Sequence, residues 1–439
     1  MVFKRFFDRT PAADAPETTD DAGTDDTGEE LEPEFDAAAP EDAPDQSWAE
    51  RAARVIAGGA STGSKRPSAL YGTDAPDAPT HFLHASGCHV VAADGETYLD
   101  CSMGLGAVAL GYAEPHVTRA ALDAIGGGHV SGLNSTLEVT LAERLCSTIP
   151  CAEQVRFLKT GAEATSAAVR IARIYTGRDM VITSGYFGWH DWASEVKGVP
   201  DGVRKDVIRV AFDDIAALES AARTAGDRLA AIILEPVVER LPLDSWIARA
   251  RELCTQHGAV LIFDEMKTGF RLAPAGFQEL SGVTPDLATF GKALANGFPL
   301  SVVCGRKDLM QACSDTWISS TLAGEAGALA AALTVLEWHD QADVCELLAK
   351  NGAEMRRVVS AAIQASGAPG VTLLGLDPMW LLRFEDPSAE SKFLQAAARQ
   401  GVLFKRGAYN YASVAHDDNA VRAIEHAASA AFVELLDRT

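Results

Sequence analysis

The sequence predicts an α/β protein, with a large domain around a mostly parallel central sheet and a smaller α+β domain built from both ends of the chain. Two observations lead there. Between about Pro115 and Leu336, short apolar runs alternate with amphipathic helical stretches; the runs are VRFLK, MVITS, AAIILEP, VLIFDE, LATFG and LSVVCG. Runs apolar on both faces and separated by helices indicate a parallel sheet covered on both sides. The pattern changes at either end, with a hairpin before this stretch and more helices and another strand after it.

Taken in order, residues 1–45 carry 15 acidic and 3 basic side chains, and from Thr10 onward almost no large apolar residue. Such a segment cannot offset its own ordering entropy, so disorder is expected. Phe3, Phe6 and Phe7 at its start read either as a frayed end or as a docking motif for a partner. Trp48 to Ile56 has helical spacing of apolar residues, and VVAA and TYLD around Asp94-Gly95 form a hairpin signal, opening the small domain at 46–114. The large domain is expected over 115–336. A long helix from about Gly324 to His339, further helices and the strand MWLLRF at Met379 to Phe384 return to the small domain over 337–439.

The tail holds 12 of the 23 net negative charges, and the acidic balance of the remainder argues against nucleic acid, which needs a basic face. Eight cysteines without a CxxC pair read as reduced thiols. No stretch has the length and freedom from charge of a membrane span, and the opening residues lack an export-length apolar region. The expected location is the cytoplasm.

In a parallel sheet, ligands sit beyond the carboxyl ends of the strands, so the polar residue closing each run is a candidate. After VRFLK come Thr160-Gly161-Ala162-Glu163, with Thr160 and Glu163 at capping-box spacing. The free N–H groups of that helix start suit a phosphate, although many strand-to-helix turns look alike. VLIFDE puts Asp264 at a strand end, where a carboxylate is costly unless it is paired or faces a polar site. It is either a cap or turn residue, or a partner for a cation. PDLATFGK puts Lys292 at another strand end, beside apolar residues that ease loss of its proton, as Schiff-base chemistry requires. A lone lysine is ordinarily a surface charge; the combination carries the argument.

FDEMKTGFR (263–271), TPDLATFGKALANGFP (284–299), TGAEA (160–164), YFGWHD (186–191) and STLAGE (320–325) together give a specific pattern. From about Gly58 to its end the chain resembles a class III aminotransferase of the fold type I pyridoxal-phosphate (PLP) enzymes, nearest the glutamate-1-semialdehyde aminomutase branch. The resemblance implies PLP as a Schiff base on Lys292, which would also shuttle the substrate proton, with Asp264 keeping the pyridine nitrogen protonated. It implies Tyr186 and Met266 on opposite faces of the ring, the Gly161 and Ala162 amides on the phosphate, and Thr321 reaching in from the neighbouring subunit of a homodimer. For a substrate carboxylate it implies Arg66, with Arg406 as the alternative. Arg271 is read as structural.

The chain departs from that pattern at several places. Ala162 stands where relatives often have Ser or Thr, Phe187 where histidine is usual, Leu105 where aminomutases commonly have tryptophan, and the segment from Trp192 to Val203 is short for a gating loop. An aminomutase must retain its diamine intermediate, so these features favour transfer between separate molecules, an amino donor and a carbonyl acceptor. The aminomutase reaction is the alternative, and a non-catalytic PLP-binding sensor or scaffold a remoter one. Gly104-Leu-Gly106-Ala-Val-Ala109 resembles a dinucleotide fingerprint without its strand-to-helix setting. His81 and His84 gather no zinc set, and His190 is read as a structural hydrogen-bonding residue ahead of a base.

Overall fold

Residues 46–437, apart from 73–74 and 76–77, are described by the computed structural model; the expectations for the acidic tail lie outside them. The hairpin forms from His89–Ala92 (β2) and Thr97–Asp100 (β3), with Phe82–Ser86 (β1) antiparallel on the outer side of β2. Only Gly95 of the turn pair takes a positive φ, 88°. Asp94 instead accepts the Glu96 amide at 2.9 Å, which makes the connection longer than a two-residue turn.

All six apolar runs become strands: Gln154–Leu158 (β4), Met180–Ser184 (β5), Leu229–Leu234 (β7), Val260–Asp264 (β8), Leu287–Phe290 (β9) and Ser301–Gly305 (β10). A seventh, Val207–Arg209 (β6), is three residues long and sits at the sheet edge, too short to show as a run. The order is β4-β10-β9-β8-β7-β5-β6. β10 runs antiparallel to both its neighbours, and the other pairings are parallel.

Alternate residues of β7 and β8 enter different cores, which is why their sequences are apolar throughout. Ile232, Leu234, Leu261 and Phe263 pack with Leu218 and Trp246 of the helices Ile215–Ala225 and Asp244–His257. Ala231, Ile233, Val260 and Ile262 pack with Ala164, Ala168 and Ile171 of the helix Gly161–Thr176.

The two ends of the described chain meet in a second sheet. After Val371–Leu376 (β11) and Met379–Phe384 (β12), the short strand Val402–Leu403 (β13) pairs in parallel with β3, Val402 opposite Leu99. Asn410–Tyr411 (β14) joins β11 and β12 in a third, antiparallel sheet. The boundary expected at 336 falls inside the helix Ala326–Gln341. Among the described residues no helix is long and apolar enough to cross a membrane.

Candidate active site

Four adjacent strands, β9-β8-β7-β5, deliver Lys292, Asp264, Glu235 and Tyr186 at or just beyond their carboxyl ends. Asp264 is buried. Its Oδ1 accepts the Thr289 hydroxyl at 2.9 Å and the Met266 amide at 3.1 Å; both bonds fall on one oxygen, which orients the other. Burial and the charge of Glu235 raise its pKa to about 6, against the pull of Lys292 and these two hydrogen bonds. A carboxylate so placed gains from a cationic N–H partner.

Lys292 follows β9 at a positive φ of 50° and opens the turn Lys292–Ala295. Backbone strain of that kind persists where surrounding structure fixes it. Burial lowers its pKa, Asp264 opposes the shift, and the Lys267 charge adds to it. The amine is thereby brought nearer to the neutral form that attacks a carbonyl. A Cβ on the preceding Gly291 would lie 2.8 Å from Met266 Sδ, and one on Gly161 would lie 3.2 Å from the same sulfur. Met266 is thus wedged between the lysine turn and the start of the helix Gly161–Thr176.

That helix begins with the expected capping box. Thr160 Oγ1 accepts the Glu163 amide at 3.2 Å, and Glu163 Oε2 accepts the Thr160 amide at 2.8 Å. Among the described residues, no acceptor is assigned to the amides of Gly161 and Ala162. Two unsatisfied N–H groups at the positive end of a 16-residue helix suit a phosphate. Gly188 packs against Ala162: with φ 93°, its missing Cβ would lie 2.4 Å from that of Ala162.

Tyr186 is exposed, and its amide donates to Glu235 Oε2 at 3.2 Å. Phe187, by contrast, is buried and stacks on Trp192 with centroids 6.1 Å apart. His190 Nδ1 lies 2.7 Å from Ser166 Oγ, which also accepts Trp192 Nε1, in keeping with a structural role. Arg271 is fully buried, and its guanidinium donates to the carbonyls of Ala412 at 3.0 Å and Gly106 at 3.1 Å. It ties the segment after β8 to two distant stretches of backbone. Gly104 and Gly106 lie in a turn of successive positive φ values, Met103 to Gly106, packed on Tyr411; that is not a dinucleotide loop.

The two expected substrate arginines lie on other elements. Arg66 precedes the helix Pro67–Tyr71 and is exposed, whereas Arg406 pairs with Glu390 at 3.4 Å. Neither bonds to the Asp264 cluster among the described residues. Thr321 is exposed in the stretch before Glu325, the N-cap of the helix Ala326–Gln341. Glu235 and Lys267, which form an ion pair beside Asp264, were missed in the sequence. The signal for Glu235 was available, since it closes the run AAIIL just as Asp264 closes VLIF.

A seven-stranded, mostly parallel sheet with a lysine, a buried carboxylate and open helix amides at its carboxyl edge defines a PLP-dependent enzyme of fold type I. Residues 72–415 match the family model for class-III aminotransferases, and the chain belongs to that family. It is 32% identical over 384 residues to a 3-aminobutyryl-CoA aminotransferase of Cloacimonas acidaminovorans (strain Evry), covering 84% of this chain and 92% of the relative. It is 34% identical over 425 residues to a glutamate-1-semialdehyde 2,1-aminomutase of Bordetella avium (strain 197N), covering 88% and 98%. These identities do not single out the aminomutase branch. Among solved structures, the PLP form of the Sphingopyxis sp. MTA144 FumI protein superposes with a TM-score of 0.84 at 27% identity, over 89% of this chain and 96% of that one. The protein is a PLP-dependent class III aminotransferase.

Proposed function

We propose that the protein moves an amino group between two separate small molecules, an amino acid or amine donor and a carbonyl acceptor. The observation that carries this reading is the meeting of Lys292, Asp264 and the open Gly161 and Ala162 amides at one edge of the sheet. Bound PLP supplies an electron-accepting ring that lets a proton leave the carbon bearing the amino group. Lys292 Nζ holds the cofactor and, once released, carries that proton. The free oxygen of Asp264 holds the proton on the ring nitrogen, Tyr186 and Met266 flank the ring, and the Gly161 and Ala162 amides bind the phosphate. Arg66 or Arg406 receives a substrate carboxylate.

Transfer between molecules is supported by the short segment from Trp192 to Val203, pinned at its start where Trp192 bonds to Ser166, which leaves little chain for a gating loop. The named relatives include both an aminotransferase and an aminomutase, so the substrate stays open between them.

The reading includes a homodimer, with Thr321 entering the neighbouring site. Leu133 and Trp317 are 84% and 86% exposed, and Val130, Val139 and Leu322 are exposed near them. The two stretches are adjoining, since the Ala326 amide donates to the His129 carbonyl at 2.8 Å. Exposed apolar side chains on two adjoining stretches suit an interaction face. The same reading places the enzyme in the cytoplasm, which suits eight free thiols, and divides the described chain into a large domain and a small one drawn from both ends.

A panel of amino donors, followed by conversion of bound PLP to pyridoxamine phosphate, tests the reaction. Glutamate-1-semialdehyde offered without an acceptor separates the two chemistries, because only a mutase turns over repeatedly. Borohydride is expected to fix PLP covalently to the parent and not to Lys292→Ala; trapping in the variant would sink the assignment of Lys292.

A further inference from the structure

Glu235 and Lys267 form an ion pair within the site that the roles above leave unused. Glu235 closes β7 between Asp264 and Tyr186: its own amide donates to the Ser184 carbonyl at 2.8 Å, and its carboxylate takes the Tyr186 amide. A Cβ on Gly185, at φ 132°, would come within 2.4 Å of Glu235 Cβ, so the carboxylate has no room to withdraw on that side. Lys267 lies three residues beyond Asp264, and its ammonium sits 4.4 Å from the centre of the Tyr409 ring. Both side chains are largely shielded from solvent, Lys267 at 13% and Glu235 at 11% exposure.

Two carboxylates so close cannot both stay charged without a counter-charge for each. The protonated ring nitrogen of bound PLP would serve Asp264, and Lys267 serves Glu235. We infer that Lys267 is a positioning residue which neutralises Glu235, so that Asp264 remains an anion for the cofactor ring while Glu235 stays fixed to the Tyr186 amide. The charged or titratable groups facing this set are Tyr409 and Tyr411 toward Lys267, Arg271 toward Lys292, and buried Glu265, raised to about 7 and common to every variant, toward Asp264. Lys267 is held above the ordinary lysine range: burial opposes its charge, but Glu235 and the two tyrosines outweigh that.

The inference concerns the electrostatics of cofactor retention and is independent of which amine is transferred. Equilibrium dialysis of the PLP-loaded full chain, repeated across pH, reads the acid limb on which PLP is lost. In Lys267→Met, Glu235 is left uncompensated beside Asp264, and the limb moves up by about one pH unit. In Glu235→Gln, Lys267 is left uncompensated and the limb moves down. The double variant returns toward the parent, and Lys267→Arg stays with it. A merely structural ion pair would weaken binding equally at every pH. Single variants whose limbs coincide with the parent's, or that move in one direction together, overturn the inference. Should Lys267→Met not fold, Glu235→Gln and Lys267→Arg decide: an unmoved limb in the first or a moved limb in the second overturns it. An Asp264→Asn chain that keeps the parent limb removes the Asp264 assignment, and this inference with it.

Discussion

At the end of β8, two consecutive carboxylates face opposite surroundings. Asp264 has one oxygen held by Thr289 and Met266 and the other directed to the site. Glu265 turns into the protein behind the site, where Oε2 accepts the Thr268 hydroxyl and the Phe277 amide and Oε1 accepts the Gln278 amide at 3.0 Å. A Cβ on Gly276 would strike that carboxylate at 2.3 Å, so the enclosure depends on a glycine. Burial raises both groups, Asp264 to about 6 and Glu265 to about 7. A perturbed pKa alone therefore does not mark the functional carboxylate. What separates the two is that Glu265 has its hydrogen bonds completed within the protein, whereas Asp264 keeps an oxygen without a hydrogen bond among the described residues.

The largest expected effect falls on the open side. Asp264→Asn should lower the rate of amino transfer by about 10³-fold, within the range for a positioned acid–base group, without any loss of stability in the cofactor-free chain. Equal losses in rate and stability would erase the contrast. Glu265→Ala should do the reverse, leaving three buried donors without an acceptor and lowering unfolding free energy by about 3 kcal/mol, read from denaturant midpoints. PLP affinity should change little.

The pH dependence sharpens the same comparison. Asp264 binds its proton more tightly in the folded chain, near 6 against an ordinary 3.8, so its contribution to stability is full below about 4 and is lost as pH rises through 6. Buried His339 and His416, both lowered to about 4, act in the opposite sense over an overlapping range. The difference between parent and Asp264→Asn isolates the carboxylate. In cofactor-free protein, the variant should gain roughly 2 kcal/mol on the parent between pH 4 and 7; parallel curves would show that Asp264 is not strained by its charge. The smallest effect belongs to Thr160→Ala, which removes the helix cap at a cost of about 1 kcal/mol and should weaken PLP binding by a few-fold through the loosened amides. Unchanged affinity would separate the cap from the phosphate site.

Much of this architecture was legible from local pattern. Six apolar runs became strands because both faces of the sheet are covered, and Thr160 and Glu163 formed their box because capping needs only a four-residue stretch. β6 escaped notice because three edge residues carry no period. Asp264 and Lys292 were found because each ends an apolar run, and Glu235, which ends another, was passed over because its partner Lys267 lies in a different segment.

The sequence by itself determined the fold class, the helix start that offers its amides, and the lysine and aspartate at strand ends, since all of these follow from short-range periodicity and capping. Tertiary structure decided which strand ends stand together. Only the order β9-β8-β7-β5 makes Lys292, Asp264, Glu235 and Tyr186 neighbours, and only long-range packing lets Arg271 bind the backbone of Gly106 and Ala412. Charges act through space, so the balance among two carboxylates and two ammonium groups became visible only once the chain had brought them within reach.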